Sequence, residues 1–141
     1  MGMGAVCALA WLIALSTFDI RQRRLPDLLT LPGAVVIVGW AAVAGHGPAA
    51  ALGAVALFVV YAAVHLVAPA AMGAGDVKLA IGLGALAGAF GPDVWILAAL
   101  GASVLTAILA AGLLAFGAAP SVPHGPSMCL ATGAAVAVAV F

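Results

Sequence analysis

The sequence predicts an all-α membrane protein, a polytopic bundle of about six transmembrane helices, and three observations carry that reading. Hydrophobic residues make up 67% of the 141-residue chain and charged residues only 6%, where a soluble domain carries roughly a quarter. The apolar residues run in long stretches broken by short clusters of Gly, Pro and charge, and about 17–25 of them are needed to cross a hydrocarbon core ~30 Å thick. All four basic residues, Arg21, Arg23, Arg24 and Lys78, fall where six successive spans would place them on one side. Nothing separates a second domain, so residues 1–141 read as one membrane-embedded unit.

The first span is residues 3–18. No basic segment precedes it, and Asp19 and arginines follow it rather than a small-residue cleavage site, so it reads as a retained helix and not a signal peptide. The second, 28–45, begins after Leu25-Pro26-Asp27 and stops at Gly45-His46-Gly47-Pro48. The third, 49–68, ends at Pro69. The fourth, 77–91, follows Met72-Gly73-Ala74-Gly75-Asp76 and is closed by Gly91-Pro92-Asp93. The fifth, 94–117, gives way to the stretch from Ala118 to Pro126, and the sixth is 127–141. Gly ends these runs by backbone freedom and Pro by its missing donor. The fourth and sixth are short, which suits helices whose ends dip into a protected cavity.

Basic residues mark the cytoplasmic side of a membrane protein, so the Asp19 connection, the Gly73–Asp76 segment and the Pro123-His124-Gly125-Pro126 turn all face the cytoplasm, with both termini outside. Trp40 and Trp95 then fall near the outer ends of their helices, as an interfacial belt would have them, while Trp11 and Tyr61 read as packing residues. A formal net charge of zero argues against nucleic acid as a partner and against attachment to the membrane surface alone. Cys7 and Cys129 lack CxxC spacing and read as small core hydrophobes, without a disulfide or a zinc site. Glu is absent and the three histidines form no HExxH, so neither a metal nor another cofactor is expected.

Four acidic residues occur in the chain, and a carboxylate at membrane depth costs about 2.5–3.5 kcal/mol on insertion scales, which makes such a residue a functional candidate. Asp19 and Asp76 lie on different helices at the same depth in this topology. Two neighbouring carboxylates do not both ionise cheaply, so one keeps its proton. That is what aspartic peptidase chemistry requires: one carboxylate takes a proton from water while the other polarises the scissile carbonyl. Plainer readings compete. Asp19 can pair with the following arginines, and Asp76 can cap the fourth helix. Asp27 can cap the second helix or neutralise an arginine, and Asp93 sits in an outer turn.

Three segments carry a resemblance to a known family. Asp19-Ile20-Arg21-Gln22-Arg23-Arg24-Leu25-Pro26-Asp27, running on to Leu28-Leu29-Thr30-Leu31-Pro32, is similar to an Asp followed by a basic loop, a Leu-Pro-Asp element and an apolar helix. Met72 to Leu79 resembles a glycine-rich Gly-Asp-Val-Lys-Leu. Pro123-His124-Gly125-Pro126 resembles a Pro-aromatic-Gly-Pro turn before the last helix. In this order they resemble the type IV prepilin peptidases, membrane aspartic peptidases with a GxGD motif, over nearly the whole chain. The resemblance implies Asp19 and Asp76 as the catalytic pair. It implies removal of a short basic leader from a prepilin, cut after a Gly at the cytoplasmic face of a bacterial inner membrane. Members with an added N-terminal cytoplasmic segment, often bearing CxxC pairs, also methylate the product. This sequence shows no such segment, which implies the short peptidase-only form of Flp/Tad-type pilus systems.

Around the pair, Gly73, Gly75, Lys78, Pro26, Asp27, Pro123, His124, Gly125 and Pro126 are candidates to shape the site or contact substrate. Lys78 either biases the pair's ionisation or snorkels to headgroups, and the arginines read as topology determinants and lipid-phosphate contacts. His124, in an aromatic's place, reads as a polar turn residue or a substrate contact. His65 reads as bonded to a neighbouring helix and His46 as solvated. Gly82, Gly84 and Gly88, with Ser103 and Thr106, suit close helix contacts. The partners expected are a prepilin and the lipid bilayer. The sequence sets no oligomeric state and leaves a homo-oligomer open. The runner-up function is a proton-coupled transporter or channel that uses Asp19 and Asp76 as relay groups. A structural subunit whose aspartates merely pair with bases is the third.

Overall fold

A computed structural model describes residues 2–119 and 121–141. Among them six helices follow one another with no strand: α1 (Met3–Gln22), α2 (Asp27–Val43), α3 (Gly47–Val67), α4 (Ala74–Ala89), α5 (Pro92–Ala115) and α6 (His124–Val140). The protein is an all-α membrane bundle. By length and composition α1, α3 and α5 can each cross a bilayer, while α2 and α6 are shorter apolar helices.

Helix boundaries differ from the sequence reading at the functional end. Helix α1 runs on to Gln22 and takes in Asp19. Helix α4 starts at Ala74 rather than residue 77, and α6 at His124 rather than 127. The segments read as glycine- and proline-rich breaks are therefore first helical turns. Gly73 and Pro123 hold the extended N-cap backbone, and each helix begins at the next residue. The physical reason is that the first four N–H groups of a helix have no intrahelical partner, so Pro126 forfeits nothing there.

Helix α4 is the centre of the bundle. From Leu79 to Ala89 all its residues except Ile81 are buried, against α2, α3, α5 and α6. Helix α1 lies outside this group, against α6 and α2. In lipid no hydrophobic drive pulls apolar helices together, so close backbone packing at small residues does that work. Gly53 of α3 faces Gly84 and Gly88 of α4. A Cβ built at Gly88 would lie 2.7 Å from the Ala49 carbonyl oxygen, and one at Gly53 or Gly84 would run into the other's carbonyl.

Trp11 locks three helices. Its ring fills the space that a Cβ on Gly33 or Gly82 would need, and its Nε1–H donates to the Leu29 carbonyl at 2.8 Å. That carbonyl lies in the turn that Pro32 disturbs by removing a ladder donor. Trp40 is exposed and lies against Phe90 with ring centroids 6.0 Å apart, in keeping with an interfacial belt. Trp95 stands in the first turn of α5, near the helix end where it is expected. Its Nε1–H is drawn inward to the Gly53 carbonyl at 3.0 Å, tying α5 to α3. Cys129 is buried as expected, but Cys7 is exposed on the half of α1 away from Asp19, where few neighbours reach.

Candidate active site

Asp19 and Asp76 come from helices that end and begin at the same end of the bundle. Asp19 sits in the last turn of α1 and is 7% exposed. Its Oδ2 accepts the Gly125 N–H at 3.0 Å. Gly125 is the second residue of α6, so its N–H is one of those a helix leaves unpaired. Glycine is needed there because a Cβ would overlap the Asp19 carboxylate. Asp76 is the third residue of α4 and half-buried. Both carboxylates line one cavity of about 360 Å³. That volume lies within the ~300–1,000 Å³ of small ligand sites.

As for the plainer roles of the two aspartates, Asp76 stands in the first turn of α4 with its Oδ2 beside the N-cap residue Gly73. Gly73, not Asp76, occupies the N-cap of α4. Among the described residues the one ion pair joins Lys78 Nζ to Asp27 Oδ1 at 2.8 Å, so Asp19 is not salt-bridged to an arginine. Asp27 follows the N-cap Pro26 and spends its charge on Lys78 rather than on an arginine. This exposed pair is worth little stability, about 0–1 kcal/mol, but it fastens the start of α2 to the start of α4.

The cavity is walled by the expected Gly73, Gly75, Asp27 and Lys78, and also by Arg23, Arg24, Leu25 and Ala74. Leu25 packs on Gly75, where an added Cβ would lie 3.3 Å from the Leu25 Cβ. Arg23 takes a left-handed backbone (φ 53°) as it closes α1. Its guanidinium donates to the Ser121 hydroxyl, and to the Ser121 carbonyl at 2.9 Å. Of the cations on the cavity wall, Arg23 and Lys78 are thus engaged by protein partners. Pro26, Pro123 and Pro126 are half-buried, and they stand at or just inside the helix starts rather than on the wall.

Two histidines differ from their expected places. His65 bonds not to a neighbouring helix but to the connection after its own: its Nδ1–H donates to the Met72 carbonyl at 2.6 Å, which anchors the chain just before Gly73. His124 is neither a loop residue nor part of the cavity wall. Its Nε2 lies 3.0 Å from the Tyr61 hydroxyl and its Nδ1 2.6 Å from Thr106 Oγ1. Sequence reasoning missed this cluster. The one available signal was that Tyr61, the chain's single tyrosine, carries a hydroxyl within a span, where a phenol needs a partner.

The sequence model of the type IV leader peptidase family matches residues 6–141, and the chain belongs to that family. No curated protein and no solved structure matches it. Membership makes the protein a membrane peptidase, and the resemblance of its three motif segments points the same way.

Proposed function

We propose that this chain, as a member of the type IV leader peptidase family, is a prepilin peptidase in which Asp19 and Asp76 form the catalytic pair. The observation that carries this reading is their meeting at one cavity, from helices distant in sequence, at the end of the bundle that holds all four basic residues.

The chemistry follows from two carboxylates sharing one proton. The ionised member takes a proton from a water molecule, whose oxygen attacks the scissile carbonyl. The protonated member donates to the carbonyl oxygen, giving a gem-diol. Proton transfer to the amide nitrogen then breaks the C–N bond and releases the leader and a new amino terminus. No other group is consumed. A relay of protons across the membrane is the less supported alternative, because α4 beyond Lys78 is a buried apolar column from Leu79 to Ala89.

The substrate we propose is a prepilin of Flp/Tad type. Its basic leader would lie at the cytoplasmic face of a bacterial inner membrane and be cut after a Gly. Residues 1–141 then act as one domain. Arg24 and the engaged Arg23 and Lys78 line the cavity, so a basic leader is better placed beyond them, against anionic headgroups.

Co-expression with a short pilin from the same genome tests this, with leader loss read as a gel shift. The unaltered chain should cleave, and Asp19→Asn and Asp76→Asn should each abolish cleavage while the protein still inserts. Full cleavage by either variant removes that aspartate from the mechanism.

A further inference from the structure

His124 is held by hydroxyls from two other helices, Tyr61 of α3 through Nε2 and Thr106 of α5 through Nδ1. The Tyr61 and His124 rings lie 5.7 Å apart and tilted. A neutral imidazole offers one donor and one acceptor, and a hydroxyl is either, so both tautomers are satisfied by these two partners. The ring therefore joins α3, α5 and α6 at the first residue of α6. The next residue, Gly125, aims its N–H at Asp19.

The first turn of α6 is also held by the burial of Gly125 and Ser127 and, just before it, by the bonds from Arg23 to Ser121. No side chain caps α6, and its leading N–H groups are free of intrahelical bonds. Within the turn, the side chain that reaches other helices by hydrogen bonds is the His124 ring, next to the Gly125 N–H. Tyr61 is buried at 5% exposure, so the anchor on α3 is itself rigidly packed, beside the central helix that carries Asp76.

We infer that Tyr61, His124 and Thr106 form a positioning device that pins the first turn of α6, so that the Gly125 N–H stays on Asp19 and the two carboxylates keep their mutual placement. None of the three lines the cavity that holds the two carboxylates. They act through Gly125 and Asp19. The inference rests on the reading that Asp19 and Asp76 are the catalytic pair, and it gives His124, a departure from the aromatic of the resembling motif, a role of its own.

The test uses the full chain in detergent, a peptide spanning a prepilin leader and cut site, and three variants of similar shape: Tyr61→Phe, Thr106→Val and His124→Phe. Each should lower kcat about tenfold with KM unchanged, since a small misplacement of a catalytic group is costly and remote substrate contacts are untouched. Adding Tyr61→Phe to His124→Phe should cause no further loss, because both break one link. His124→Gln, which can still bond two hydroxyls, should recover part of the rate. Amide exchange over residues 122–128 should quicken in all three single variants. Unchanged exchange overturns the inference, as does an additive loss in the double variant or unaltered kcat alongside faster exchange. The underlying reading fails separately: cleavage by Asp19→Asn refutes the catalytic pair, whereas the exchange measurement still decides whether the cluster pins α6.

Discussion

Gly125 shows how one missing side chain shapes the site. Its backbone conformation is an ordinary helical one, so alanine would fit the local dihedrals, and only the proximity of Asp19 forbids it. Gly125→Ala should therefore cut cleavage about tenfold or more by displacing the carboxylate. Gly112→Ala, where a Cβ meets nothing within 4 Å, should leave cleavage intact. The paired assay on membranes checks both. Two residues on, Ser127 is 1% exposed and its hydroxyl has no hydrogen-bond partner among the described residues. An unmet buried hydroxyl costs about 1–3 kcal/mol, so Ser127→Ala should raise the unfolding midpoint in detergent, and a lower midpoint would reveal a bond the hydroxyl does make. Asp19 and Asp76 stood out in the sequence because charge is rare and costly in apolar runs. Tyr61 and Thr106 did not, because ordinary polar residues in a helix show no partner until the helices are brought together.

The contact between α3 and α4 governs how those partners meet. Gly53, Gly84 and Gly88 bring the two backbones together, and neither chain can yield to a new methyl as a flexible side chain would. Gly84→Ala should thus destabilise the bundle by about 1–3 kcal/mol. Gly39→Ala, facing open space on α2, should be neutral or gain up to about 1 kcal/mol from helix propensity. Thermal unfolding of the two variants in one detergent gives the comparison, and equal midpoints would show that the glycine contact is not tight. The glycines of α4 were legible as a close-packing face, since small residues at helical spacing have few other uses in a membrane. The starts of α4 and α6 were not. Glycine and proline there look like breaks in a linear reading, yet an N-terminal turn tolerates both because its donors are unpaired. The error mattered, because it placed Asp76 and Gly125 in loops when both are fixed by helices.

Over the whole molecule, the distribution of charge makes a prediction about sidedness. The four basic residues gather at one end with Asp19, Asp76 and the cavity, while among the described residues the opposite end carries Asp93, His46 and glycine turns. Exposed Val35, Leu52, Leu100 and Ile108 give the flanks between these ends an apolar surface for lipid. Positive charge is retained on the cytoplasmic side because the basic segments next to the spans resist translocation. The cavity should then open to the cytoplasm, where a leader still attached to its pilin would be found. Single cysteines can decide this in a chain with Cys7→Ala and Cys129→Ala. Ser121→Cys lies in the exposed connection bonded to Arg23, and His46→Cys lies in the exposed turn between α2 and α3. A maleimide that cannot cross the membrane should label His46→Cys on intact spheroplasts and Ser121→Cys only after lysis. The reverse pattern would put the aspartates on the outer side, out of reach of a cytoplasmic leader, and would overturn the proposed substrate even if both carboxylates proved essential. Labelling of both before lysis would mean that the two turns share a face, which the alternating course of successive helices, α3 running antiparallel to α2 and α4, does not permit.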